Sequence, residues 1–286
     1  MSVIAPSVPG TIGILYLATV AFASSLDQAG PMTKSVRDAA LMTEVMSGKD
    51  QYDNTTLNEP VDSWFENINS DVSGKTIGLP KEYFTDKGMD EQTKVIIDQA
   101  IAALKSKGAK FLEVDLSLIE HAVPIYYLIA TSEASTNLSR YDGVRFGHRA
   151  DFSQKKAEDL EEFYSRTRSE GFGEEVKRRI MLGSFCLSSG YYDAYYAKAG
   201  KVRRLLKEQF LKAFESCDLM MGPVTTSPAF KFNERLNDPV EMYNNDIYTT
   251  AANLVGVPAM SVPAGHTKSG LPVGVQLMGK HLDEQT

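Results

Sequence analysis

Between positions 76 and 116 the chain carries a pattern that few folds can satisfy. Residues 76–79 form a short apolar run stopped by Pro80. Residues 90–107 place Val95, Ile96, Ala100, Ile101 and Leu104 on one helical face, with Gly108 just past the end. Residues 110–116 then read as a strand carrying Phe111, Leu112 and Val114. Strand, helix and strand at this spacing predict two parallel strands joined by a right-handed crossover.

The flanking sequence extends that unit into an α/β fold. Upstream, residues 33–46 are expected to be helical. Ser35-Val36-Arg37-Asp38 reads as a capping box, Val36, Ala39, Ala40, Met42, Val45 and Met46 form an apolar stripe, and Gly48 is the stop. Residues 49–74 turn polar and Asn/Asp-rich, a surface excursion pinned by Trp64 and Phe65. Residues 118–215 read as mostly helix, over 123–139, 156–168, 174–186 and a long stretch at 191–214. Three further apolar runs, at 219–222, 259–262 and 273–278, are bounded by Pro or Gly and read as buried strands. A helix at 239–254 lies between the first two of them. Strands separated by helices predict an α/β/α sandwich on a mixed sheet.

Several function classes are excluded by what the chain lacks. Its net charge of −7 opposes phosphate, so direct nucleic-acid binding is not expected. Two cysteines, Cys186 and Cys217, are too few for a disulfide framework and predict buried reduced thiols. The four histidines are scattered, without metal-ligand spacing, and no phosphate loop, dinucleotide fingerprint or Gly-x-Ser-x-Gly elbow occurs. No cofactor and no metal is called for. Residues 1–26 have no charged side chain and end near an Ala21-Phe22-Ala23 triplet, like a secretory leader. They lack its basic start and are broken by Pro6, Pro9, Gly10 and Gly13, which favours a buried strand and turn over a leader or a membrane span. Glu161-Glu162 and Glu174-Glu175 read as solvated helix faces, as do the basic clusters 177–179 and 201–204, and the tyrosines at 191, 192, 195 and 196 as packing aromatics.

Longer blocks carry a more specific signal. Residues 20–31 run Val-Ala-Phe-Ala-Ser-Ser-Leu-Asp-Gln-Ala-Gly-Pro; residues 137–143 run Asn-Leu-Ser-Arg-Tyr-Asp-Gly. Arg-Ser-Glu-Gly-Phe-Gly at 168–173 leads into Glu-Val-Lys-Arg-Arg-Ile at 175–180, and Leu-Ser-Ser-Gly-Tyr-Tyr-Asp-Ala-Tyr-Tyr follows at 187–196. Ser132-Glu133-Ala134-Ser135, Asp238-Pro239 with Tyr243 and Asn245-Asp246, Gly256-Val257-Pro258 and residues 271–276 complete the set. Together they resemble the amidase-signature family, in its branch of glutaminase (A) subunits of the Glu-tRNA(Gln) amidotransferases, from about Val20 to the last residue.

That resemblance implies an amidase-signature sandwich over residues 20–286 with a helical insert at about 118–215, and an unmatched segment at 1–19. It implies hydrolysis of glutamine by a serine, a second serine in a cis peptide and a lysine. Ammonia would pass to the amidotransferase B subunit, a small C subunit would bind both, and tRNA would be met only indirectly. By motif matching, Arg179 would meet the α-carboxylate of glutamine and Asp246 its α-ammonium. A pocket tyrosine would fall at Tyr126, with Tyr127 the alternative. One fixed cation and one fixed anion suit a zwitterion, and a guanidinium suits a carboxylate. Without the resemblance, Arg179 and Asp246 would read as surface ion-pair members. The family's Gly-Gly-Ser-Ser-Gly-Gly-Ser run is absent; the chain has no Gly-Gly pair at all. The expectation is therefore a truncated glutaminase chain with no catalytic residue of its own, incapable of catalysis alone. The alternatives are a non-catalytic partner of the B or C subunits, or the product of a disrupted gene.

Overall fold

A computed structural model describes residues 21–54, 56–68, 71–85, 89–232 and 246–286. The described chain divides into two compact units, one of residues 28–123 with 205–286, the other of residues 21–27 with 124–204. The expectation for residues 1–20, and the part of the 239–254 helix before position 246, lie outside the described residues.

The first unit is built on a five-stranded mixed sheet among the described residues: β1 (Thr76–Pro80), β2 (Lys110–Val114), β3 (Leu219–Pro223), β4 (Ala259–His266) and β5 (Pro272–Met278). Its order is β2-β1-β3-β5-β4, with β1 parallel to β2 and β3, and β5 antiparallel to β3 and β4. The helix linking β1 to β2 spans Glu91–Ser106, and its N-cap Asp90 accepts the Thr93 amide at 2.9 Å. It packs Ile97 and Ile101 against Ile77, Leu219, Met221 and Val275, and buries Ile96 as well. Val95, expected on that face, is 54% exposed and Ile97 is buried instead, while Ile96, Ala100, Ile101 and Leu104 face inward as expected.

With this linking helix as α2, the other helices in chain order are α1 (Val36–Met46), α3 (Ala122–Leu138), α4 (Leu160–Gly171), α5 (Glu174–Leu187) and α6 (Lys198–Ala213); a short α7 (Thr250–Val255) follows. Ser35 caps α1 as expected, accepting the Asp38 amide at 3.1 Å. The apolar stripe of α1 is not core, however: only Ala39 is buried, and Val45 is 77% exposed. The 49–74 excursion is pinned at Phe65, which lies under the Arg37 guanidinium at 4.1 Å. The long helix expected at 191–214 is interrupted by a π-turn at Asp193–Ala197. Cys186 and Cys217 are buried free thiols. Among the described residues no helix is long and apolar enough to cross a membrane.

Candidate functional site

Arg179 lies in α5, whose first turn holds Glu174 and Glu175 where the helix dipole favours negative charge. The Glu174 carboxyl is held below its usual range by the Lys177 ammonium. Glu175 divides its two oxygens between two arginines. Oε2 accepts from Arg178, and Oε1 accepts Nε of Arg179 at 2.9 Å. Both acids lie exposed on the helix face, as expected, and both are also ion-paired first-turn residues. Arg179 is 21% exposed, and its guanidinium carbon stands 5.8 Å from the Phe22 ring centroid. Its Nη atoms make no hydrogen bond among the described residues.

Phe22 is fixed through its backbone. The Asp27 carboxylate accepts the Phe22 amide at 2.7 Å and the Ala23 amide at 3.1 Å. Asn137 of α3, itself buried, donates its side-chain amide to the Phe22 carbonyl at 3.0 Å and to Ser24 Oγ at 2.7 Å. Next along, Ser25 donates from its amide and its hydroxyl to Glu133, and Arg203 donates to the Ser25 hydroxyl and carbonyl at 2.7 and 2.9 Å. Residues 22–27 therefore form a turn held by Asp27 from within, by α3, and by Arg203.

The same unit holds Tyr126 on α3, its ring edge-on to Tyr127 at 5.0 Å. Helices α3 and α5 meet at Gly183, where an added Cβ would stand 2.0 Å from the Thr131 carbonyl oxygen. Only glycine allows that approach. Tyr191 and Tyr195 do pack as aromatics, 5.9 Å apart and with Phe185 4.4 Å from Tyr191, but on the surface.

Asp246 belongs to the first unit and is exposed. Its carbonyl accepts Thr250 Oγ1 at 2.6 Å, which ties it to the start of α7. Two residues on, the Tyr248 carbonyl takes two buried donors, Tyr83 Oη at 3.2 Å and Gln276 Nε2 at 2.9 Å. Tyr83 fits because position 222 is glycine; a Cβ there would meet its ring at 2.6 Å. Burial pushes the Tyr83 phenol well above its ordinary value. Among the described residues no group of three or more His, Cys, Asp or Glu side chains could hold a metal.

The motif blocks take in Arg179 and, with it, Glu175, Phe22, Asn137 and Gln276, but they do not say which of these residues touch. Glu175 lies four residues before Arg179, the spacing of a helical ion pair, and is legible in the sequence. Phe22, Asn137, Tyr83 and Gln276 make their contacts across long chain separations, and no local pattern marks which partner each one meets.

Residues 11–286 match the family described as Amidase, so the match begins upstream of Val20. The glutamyl-tRNA(Gln) amidotransferase A subunit of Bdellovibrio bacteriovorus is 58% identical over 266 residues, 93% of this chain and 54% of that protein. Its namesake in Carboxydothermus hydrogenoformans is 55% identical over 267 residues, again 93% of this chain and 54% of the relative. The crystal structure of the Thermotoga maritima A subunit superposes with a TM-score of 0.71 at 40% identity, covering 93% of this chain and 51% of that one. The chain thus spans about half the length of the curated relatives it matches.

Proposed function

We propose, from the premise that this chain belongs to the Amidase family, that it recognises glutamine as part of a glutaminase subunit serving the amidation of Glu-tRNA(Gln). The observation that carries this reading is the 58% identity to an amidotransferase A subunit over 93% of the chain. Arg179 would take the α-carboxylate, Asp246 the α-ammonium, and Tyr126 would line the pocket. The partly buried guanidinium, with its Nη edge uncommitted among the described residues, supports the role given to Arg179. A charge-assisted, two-pronged bond to a carboxylate is what such an edge provides.

On this reading ammonia passes to the amidotransferase B subunit, the C subunit binds both, tRNA is met only through them, and the work is done in the cytoplasm. These residues contain no Gly-Gly pair, hence no Gly-Gly-Ser-Ser-Gly-Gly-Ser run. We therefore assign them amino-acid recognition rather than the alkoxide chemistry that needs a nucleophile and an oxyanion cradle. Calorimetric titration of the 286-residue chain with L-glutamine tests the proposal. Saturable binding is expected, abolished in Arg179→Ala and weakened about tenfold in Asp246→Asn, with no glutamate release above about 1 per second. Equal binding by both variants and the wild type would sink it.

A further inference from the structure

Two groups meet Arg179 directly and two more hold one of them in place, none with any need to touch an amino-acid ligand. Glu175, one turn earlier on α5, accepts its Nε–H at 2.9 Å. The Phe22 ring lies 5.8 Å from the guanidinium carbon. Asn137, buried on α3, holds the Phe22 carbonyl at 3.0 Å, while Asp27 holds its amide at 2.7 Å. An arginine side chain has many rotamers, and immobilising it costs entropy that a ligand would otherwise have to supply. With Nε occupied, the edge left to a carboxylate is the Nη pair. The other oxygen of Glu175 accepts from Arg178, and among the described residues Glu175 makes no bond to the Nη edge.

We infer that Glu175, Phe22 and Asn137 are positioning residues that fix the Arg179 guanidinium with its Nη edge presented to the α-carboxylate of the ligand. The inference rests on the role proposed above for Arg179, and goes beyond it by naming what sets the specificity for a free carboxylate. It also opposes the simplest electrostatic account of Glu175, in which a nearby carboxylate merely competes with the ligand for the arginine.

The test compares binding of L-glutamine with that of its α-amide, which lacks the carboxylate, to the full chain. The selectivity ratio is read by calorimetry, and folding is checked by circular dichroism. Wild type should prefer glutamine, and Arg179→Ala should lose the preference. Glu175→Leu should reduce the ratio about tenfold, the size of one charge-assisted bond, while Glu175→Gln, which keeps an acceptor at the same place, should retain it. Phe22→Leu should lower the ratio and Phe22→Tyr should restore it. Asn137→Ala should behave like Phe22→Leu; because Asn137 is buried this variant can unfold, and the half-exposed Glu175 pair decides the matter in that case. Tighter glutamine binding by Glu175→Leu would show competition and overturn the inference. Retained selectivity in both Glu175→Leu and Phe22→Leu, with selectivity lost in Arg179→Ala, would overturn the inference alone. Absence of any wild-type preference would overturn the reading of Arg179 as well.

Discussion

At the scale of single residues, the hydrogen bonds that matter are those whose partners are buried. The Tyr248 carbonyl accepts from both Tyr83 and Gln276, two donors that lie inside the first unit. Tyr83→Phe removes one donor and leaves the other, so the loss expected in urea denaturation is about 1 kcal/mol rather than the larger cost of an orphaned polar group. The same residue imposes an alkaline limit. Its phenol ionises at about 10 when unfolded, and burial raises that value in the folded state. The folded state therefore keeps its full advantage below about pH 10, and loses it as pH rises beyond. Tyr83→Phe should unfold less readily than the wild type, relative to its own neutral-pH stability, when both are titrated upward from about pH 10. Identical alkaline profiles would contradict this. Motif matching proposes Arg179, Asp246 and Tyr126, roles that the glutamine titration tests; the convergence of Tyr83 and Gln276 on one carbonyl has no such mark, although Gln276 itself lies in a motif block. Their bonds join positions 165 and 28 residues apart, and no local pattern pairs the two ends.

At the scale of elements, the α3–α5 contact depends on one missing side chain. Gly183→Ala would gain helix propensity of about 1 kcal/mol. It would also drive a Cβ to within 2.0 Å of the Thr131 carbonyl. Overpacking of this kind costs about 1–3 kcal/mol, and a clash with backbone leaves little room to relax. Net destabilisation is expected in thermal unfolding, with weakened glutamine binding because Arg179 sits one turn away on the same helix. Unchanged stability would mean that the two helices separate at no cost. Helix α4 offers a milder case. Asp159 caps it by accepting the Glu162 amide at 2.8 Å, and Asp159→Ala should cost about 1 kcal/mol in the same unfolding measurement. Element positions were largely legible: the linking helix, α5 and β3 fall within one or two residues of expectation, because caps and periodic stripes are local signals. Two features were not. The π-turn at Asp193–Ala197 carries no composition mark, and the stripe of α1 obeys helical spacing while remaining exposed.

At the scale of the whole molecule, several large apolar side chains lie exposed among the described residues. Val45, Met46, Met181 and Phe185 are 47–77% exposed, and β4 forms a sheet edge whose first three residues, Ala259, Met260 and Ser261, are exposed. Open edges and apolar patches recruit partners. Sedimentation velocity should therefore show association that rises with protein concentration; a heat-resistant monomer at every concentration would refute this. The fold class was readable because alternating strands and helices leave few options. The strand order was not, since placing β3 between β1 and β5 is decided by pairings between distant segments.

Arg179, on this view, grips the carboxylate of an amino acid through its outer edge, and a crystal structure of the chain grown with L-glutamine tests that most directly. Both carboxylate oxygens are expected about 2.7–2.9 Å from the Arg179 Nη atoms, with Nε still bonded to Glu175. Glutamine bound with its carboxylate on other groups, and Arg179 unchanged, would contradict it.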